Sequence, residues 1–89
     1  MSTRSALASA EFVNNSKVRL GLLVGLITGP KSTSQLATLE KKHVSHVSRA
    51  LTELKARGIV EPIPRGTRET FYRLTTQGYV IYTVLSRSR

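Results

Sequence analysis

The sequence predicts a mainly α-helical domain with a small β-hairpin, an α+β fold in which three helices precede the hairpin and one helix follows it. Apolar residues recur at helical spacing between Ser16 and Arg57, with a break at Gly29-Pro30. Two short alternating segments then flank a turn at residues 64–69, which is the pattern of a hairpin. The length of 89 residues suits one small domain.

The first predicted helix runs from about Ser16 to Thr28, with Asn15 or Ser16 as its N-cap. Its apolar residues lie nearly all round the axis, which indicates burial on more than one side. Gly21 and Gly25 either leave a shallow strip where another helix approaches or are placed there by accident. The domain is predicted over residues 14–86, after a flexible or partly helical segment at 1–13 and before a basic tail at 87–89.

Two further helices are predicted before the hairpin. The first of these is short, from about Thr33 to Leu39, and Ser32 and Gln35 have the spacing of a capping box at its start. The next runs from about His43 to Arg57 and ends at Gly58, a residue suited to the position after a helix. Its periodicity predicts one buried stripe, which consists of Val44, Val47, Leu51 and Leu54.

The opposite face of this third predicted helix is polar and basic. With about 100° between successive residues, that face collects Lys42, Ser45, His46, Arg49 and Glu53, with Ser48 and Thr52 on one flank and His43 on the other.

The predicted hairpin carries arginine at its tip. Pro62 marks the first strand as an edge strand, and Thr70 to Leu74 form the second. The tip between them contains Arg65, Gly66, Thr67 and Arg68. A last helix follows from about Gln77 to Ser86, capped by Thr75 or Thr76, and its apolar residues wrap around the axis. This order of elements is a winged helix-turn-helix arrangement.

The charge balance favours a polyanionic partner. The chain has 14 Lys and Arg residues against 5 acidic ones, for a formal net charge of +9. It has no cysteine, which excludes disulfides and thiolate metal sites. The longest apolar run, Leu20 to Ile27, is too short to span a bilayer, and Met1 to Ala10 lacks the apolar core of a secretory signal. We therefore expect no membrane association and a cytoplasmic, nucleoid-associated protein.

The outward face of the third predicted helix has the side chains that reading duplex DNA requires. A helix fits the major groove, and short polar or basic side chains near its N-terminal end reach the base edges. Ser45 and His46 are short enough for close approach, and Arg49 can pair with guanine or clamp a phosphate. Lys42 is better placed for a phosphate. Glu53 either restrains the Arg49 guanidinium or marks the end of the DNA footprint.

Two other segments are predicted to hold the DNA backbone. Arginines on a short hairpin suit the minor groove or the phosphates, which assigns Arg65 and Arg68 to that role. The start of the second predicted helix presents Ser34, Gln35 and free N–H groups, and helix N-termini favour anions. Arg73 points outward from the second strand and contacts either DNA or solvent.

Other chemistries have weaker support in the sequence. His43 and His46 have the i, i+3 spacing of two metal ligands, but no third ligand is evident nearby. Three tyrosines could stack on single strands, although core and interface positions explain them better. There is no nucleophile–base pair, no paired carboxylates and no glycine-rich phosphate loop, so we expect no enzymatic activity and no cofactor.

The chain resembles the ArsR-like and MarR-like winged-helix transcription regulators of archaea and bacteria, the archaeal ones most closely. The resemblance covers residues 14–85 and is carried by Ser16-Lys17-Val18-Arg19, Gly29-Pro30-Lys31, Gln35-Leu36-Ala37, Ser45 to Leu51 with Leu54, Gly58-Ile59-Val60, and Tyr72-Arg73-Leu74-Thr75 with Gly78. It implies a DNA-binding homodimer with Ser45, His46, Ser48 and Arg49 as recognition residues and Arg65 to Arg68 as the wing. Metal-sensing members often use cysteines, which this chain lacks, and ligand-sensing members are usually longer. The resemblance therefore does not predict whether this chain senses an effector.

Together these inferences predict a transcriptional regulator that binds double-stranded DNA sequence-specifically. The DNA-binding residues would be Ser34, Gln35, Lys42, His43, Ser45, His46, Ser48, Arg49, Arg65, Gly66, Thr67 and Arg68. The first and last predicted helices are apolar on more faces than one domain covers, which predicts a homodimer through them. The alternatives are an architectural protein that coats DNA with little sequence preference, and a winged helix that contacts RNA or protein.

Overall fold

The computed structural model describes residues 3–64, 66 and 68–87 of the chain. It contains five helices and three strands within those residues. In chain order they are α1 (Thr3–Asn14), α2 (Lys17–Ile27), β1 (Lys31–Ser32), α3 (Thr33–Glu40), α4 (Val44–Ala56), β2 (Val60–Ile63), β3 (Phe71–Leu74) and α5 (Thr76–Arg87). This is an α+β winged-helix fold, as the sequence predicted.

The predicted helices are confirmed to within one or two residues at each end, and their caps explain where they begin. Ser16 caps α2 by accepting a hydrogen bond from the Arg19 N–H at 3.2 Å. The capping box at α3 is present, because the Ser32 hydroxyl accepts from the Gln35 N–H and the Gln35 side chain accepts from the Ser32 N–H. Thr75 caps α5, with its hydroxyl accepting from the Gly78 N–H.

The segment before the first predicted helix forms α1, which packs mainly against α5 and also against α2. Ala10 and Val13 of this helix are buried in the core. Alanine-rich sequence favours a helix, and the burial of one apolar face gives this helix the tertiary support that a short isolated helix lacks.

The three strands form one antiparallel sheet in the order β1-β3-β2. Residue pairs Val60–Leu74 and Ile63–Phe71 set the hairpin register. The other edge of β3 pairs with β1, where Lys31 faces Tyr72 and Ser32 faces Phe71. The sequence did not predict β1, because two residues are too few to show an alternating pattern.

The core lies between the helices and the sheet and is built mainly from leucine. Its largest fully buried side chains include Leu22, Leu23, Leu26, Leu36, Leu51, Leu54, Ile59 and Ile81. In α4 the buried stripe consists of Val47, Ala50, Leu51 and Leu54. The prediction that Val44 belongs to this stripe is wrong, since Val44 is 50% exposed. Ala50 moves the centre of the stripe away from Val44, which starts the helix.

The two glycines of α2 face α3. The Glu40 carboxylate lies where a Cβ at Gly21 would be, and a Cβ at Gly25 would be 3.3 Å from Leu36 Cδ2. Gly25 therefore allows α3 to approach α2 closely, whereas Gly21 faces the flexible end of the Glu40 side chain. The first of the two interpretations of their spacing holds at Gly25. Among the described residues, no helix has the length and apolar character that crossing a membrane would require.

Candidate nucleic-acid interface

The exposed face of α4 carries the residues that the sequence assigned to base reading. Ser45, His46, Ser48 and Arg49 are all exposed, whereas Val47 between them is fully buried. The helix is therefore held by one face and presents the other to solvent. No acidic residue lies in its first turn, so no carboxylate of that turn neutralises the positive end of the helix dipole.

The turn that leads into α4 adds positive charge at the same end. Lys41 ends α3 in the left-handed conformation with φ 54°, and Lys42 and His43 follow it as exposed residues. His43 is the N-cap of α4, and its side chain makes no capping hydrogen bond to a described residue. Its imidazole is 6.4 Å from that of His46 between ring centroids. Both rings thus remain available to an external partner.

The start of α3 holds the two residues that were predicted to contact phosphate. Ser34 and Gln35 are both exposed. The Gln35 side chain is engaged in the capping box, with its Oε1 2.9 Å from the Ser32 nitrogen. The Ser34 hydroxyl donates to the carboxylate of Glu69, which lies in the loop between β2 and β3. This contact brings the start of α3 beside the hairpin, an arrangement that the sequence analysis did not anticipate.

The hairpin tip is described only in part. Gly66 has φ 68°, a left-handed conformation that suits glycine, and Gly66 and Arg68 are exposed. Arg65 and Thr67, which were also predicted to contact DNA, lie outside the described residues. Arg73 on β3 is exposed and donates to Glu61 at 3.0 Å, so its outward orientation is confirmed and its charge is paired within the sheet.

Two acidic residues, Glu53 and Glu61, form ion pairs with arginines of the same chain. Glu53 pairs with Arg19 of α2, with Oε1 3.3 Å from Nη2, and does not restrain Arg49. Glu61 pairs with Arg73. Arg49 forms no ion pair with any residue in the described part of the chain, since the ion pairs found there are these two. Its guanidinium is therefore available for an anion.

Phe12, Arg19 and Arg57 form a cluster that the sequence analysis did not predict. The guanidinium carbons of Arg19 and Arg57 lie 3.8 Å and 4.0 Å from the centroid of the Phe12 ring. Arg19 Nη1 also donates to the Phe12 carbonyl oxygen at 2.9 Å. These contacts join α1, α2 and the C-terminal end of α4, and residues so far apart in sequence give no local signal of their contact.

The described residues contain no group of three or more His or acidic side chains that could hold a metal. His43 and His46 remain a pair without a third ligand from the described part of this chain. Both residues are exposed at the N-terminal end of α4.

The fold and this exposed basic face define a winged-helix domain of the kind found in transcription regulators. The chain belongs to the family described as the N-terminal domain of methanogenesis regulatory protein FilR1, with residues 7–88 matching that family. The resemblance to winged-helix transcription regulators is thereby confirmed. A comparison with curated protein sequences finds no match.

Solved structures of bacterial regulators share the fold. A protein of Enterococcus faecalis V583 described as a MarR-family transcriptional regulator has a TM-score of 0.81 and 23% identity, covering 98% of this chain and 82% of that one. The homodimeric winged helix-turn-helix DNA-binding domain Mb0332 of Mycobacterium bovis has a TM-score of 0.79 and 23% identity, covering 99% and 87%. The transcriptional repressor BigR of Xylella fastidiosa has a TM-score of 0.75 and 25% identity, covering 91% and 84%.

Proposed function

We propose that this protein binds double-stranded DNA sequence-specifically and regulates transcription, with α4 in the major groove and the hairpin on the minor groove or backbone. One observation carries the proposal. The N-terminal half of α4 is buried on one face by Val47 and Ala50 and exposes Ser45, His46 and Arg49 on the other. A helix supported in this way can enter a groove without losing its contacts with the core.

The contacts with DNA divide into two kinds. Arg49 is the candidate for a bidentate contact with guanine, and Ser45, His46 and Ser48 are short enough to let the helix backbone approach. We assign the phosphate contacts to Ser34 and Gln35 at the start of α3, to Lys42 and His43 before α4, and to the hairpin. The net charge of +9 supplies the attraction that such contacts need.

We further propose that the functional unit is a homodimer that pairs through α2 and α5. A groove between these helices is lined by Leu20, Leu23, Val24, Tyr82 and Leu85. Val24 is 51% exposed although it is apolar. The Mycobacterium bovis domain with the same fold is homodimeric. A symmetric pair would place two α4 helices about 34 Å apart, one turn of DNA.

Selection from random duplexes tests the proposed function. The protein is incubated with a random duplex library, bound DNA is amplified over several rounds, and the enriched duplex is titrated at several salt concentrations. A motif with two half-sites about ten base pairs apart is expected. Retention of DNA without an enriched motif would instead favour a protein that coats DNA, and preferential competition by structured RNA would favour an RNA-binding winged helix.

The dimer is tested by light scattering after size exclusion at micromolar concentration. Val24→Glu and Tyr82→Glu place charge in the groove between α2 and α5 and should shift the protein to monomer. Thr52→Glu introduces the same charge on an exposed position of α4, outside the groove, and serves as the control. A wild-type protein that is monomeric throughout would overturn the dimer.

A further inference from the structure

The strongest unassigned feature of the molecule is the cluster in which one aromatic ring lies between two guanidinium groups. We infer that Phe12 of α1 is a positioning residue for α4, which sets the orientation of its exposed face through Arg57 and through Arg19 and Glu53. This inference rests on the proposed function and deepens it, because it names a residue outside the DNA-contacting face that governs how that face is presented.

The Phe12 cluster brings two guanidinium groups to one aromatic ring. The ring of Phe12 meets Arg19 at 3.8 Å and Arg57 at 4.0 Å, both measured from guanidinium carbon to ring centroid. These distances are well inside the range in which a cation is attracted to an aromatic face. Two cations repel each other, and the negative faces of the ring offset that repulsion by lying close to both.

The cluster contacts α4 at two positions, Glu53 and Arg57. Arg57 is the C-cap of α4 and contacts the ring directly. Arg19 contacts α4 through Glu53, with its Nε and Nη2 both 3.3 Å from Glu53 Oε1. The same guanidinium donates to the backbone carbonyl of Phe12 at 2.9 Å. The Phe12 ring and carbonyl group are thus connected to Glu53 and Arg57 through hydrogen bonds and cation–π contacts.

These two positions lie on one side of α4. With about 100° per residue, Glu53 and Arg57 project from one flank of α4. This flank lies next to the exposed face that contains Ser45 and Arg49. The buried stripe of Val47, Ala50, Leu51 and Leu54 holds the helix against the core from one side only. A contact on the flank restrains rotation of the helix about its own axis. A small rotation would displace the tip of a long side chain such as Arg49 most.

The alternative is that the cluster only contributes packing energy. In that case loss of the ring would lower stability and leave the orientation of α4 unchanged. Phe12→Leu separates the two, because it keeps an apolar side chain and the net charge while it removes the aromatic faces. Phe12→Tyr keeps the faces and should behave like the wild type.

The test measures the ratio of dissociation constants for the selected duplex and a scrambled duplex, at one salt concentration. Phe12→Leu should lower this ratio by about 2-fold to 10-fold with little change for the scrambled duplex. Leu7→Ala, an exposed position on the same helix, is the control and should leave the ratio unchanged. An unchanged ratio in Phe12→Leu together with a lower melting temperature would overturn the inference, as would a Phe12→Tyr variant that behaves like Phe12→Leu.

A second measurement uses the free protein without DNA. It therefore tests the positioning role of Phe12 even if the protein does not bind duplex DNA. Backbone amide chemical shifts of Ser45 to Arg49 are compared in the free wild-type and Phe12→Leu proteins. We expect these amides to shift although they precede Glu53 by four to eight residues along α4, whereas Leu7→Ala leaves them in place. Shifts confined to the immediate neighbours of Phe12 would overturn the positioning role. A wild-type protein that does not bind duplex DNA would overturn the proposed function alone.

Discussion

Arg19 and Glu53 join α2 to α4 by an ion pair across 34 positions of sequence, with Nε and Nη2 of Arg19 both 3.3 Å from the same carboxylate oxygen. The Arg19 side chain is 20% exposed and that of Glu53 is 40% exposed. Arg19 is therefore the more deeply embedded partner. It also makes contacts with Phe12 that Glu53 does not share.

This asymmetry predicts unequal effects of removing either partner. Arg19→Met should lower the free energy of unfolding by about 1–3 kcal/mol, because the bond to the Phe12 carbonyl and the contact with the ring are lost together with the ion pair. Glu53→Gln should cost less than about 1 kcal/mol, since its carboxylate is partly solvated. Urea denaturation of both variants measures the difference. Equal losses would mean that the ion pair alone dominates.

Arg49→Ala is expected to relax sequence preference. If Arg49 contacts a guanine, the selected duplex should lose about 1–3 kcal/mol of binding free energy and a scrambled duplex much less. Titration of both duplexes with the wild type and the variant measures this. Lys55→Ala removes a positive charge from an exposed position in the last turn of α4 and is the matched control. Equal losses for both duplexes would assign Arg49 to phosphate.

Arg68→Ala should behave differently, because the hairpin is proposed to contact the backbone. Binding to every duplex should weaken by a similar factor, and the slope of log K against log salt should become shallower by about 0.9. The measurement is a titration at four or more salt concentrations. Arg73→Ala is the control, since Arg73 is already paired with Glu61. A change limited to one base position would contradict the assignment of Arg68.

Gly78→Ala is expected to destabilise the fold although alanine is the better helix former. A Cβ at Gly78 would lie 2.5 Å from the Ile59 carbonyl oxygen and 3.1 Å from Leu74. Because a backbone atom must move, we expect a loss of about 1–3 kcal/mol. At Gly21 the atoms nearest to a Cβ belong to the flexible end of Glu40, which can move away, so Gly21→Ala should be neutral or stabilising. Thermal unfolding of the two variants tests this contrast.

Lys41 adopts a left-handed backbone conformation in the turn between α3 and α4, with φ 54°. This conformation is unfavourable for a residue with a Cβ, so Lys41→Gly should raise the free energy of unfolding by about 0.5–1 kcal/mol. Lys42→Gly removes the same charge where φ is not positive and should lower it. Chemical denaturation compares the two, and a loss of stability in Lys41→Gly would contradict the prediction.

The sequence predicted most of this fold because its signals are local. Caps at Ser16 and Ser32 and the periodicity of α4 fixed the helices to within a residue or two. The exposed face of α4 followed from the same periodicity, with Val44 as the exception. Contacts between distant segments had no such signal, and the pairing of Arg19 with Glu53 and the contact of Ser34 with Glu69 emerge only when the elements pack.

Ser32 belongs to two structures at the same time. Its backbone lies in β1 opposite Phe71, and its fully buried side chain caps α3. The second strand of the wing therefore pairs with the same residue that caps the first helix of the helix-turn-helix. A wing taken from a relative could not be grafted as residues 60–74 alone. The Lys31–Ser32 strand would have to be exchanged with it, so the transferable unit of this domain is discontinuous in sequence.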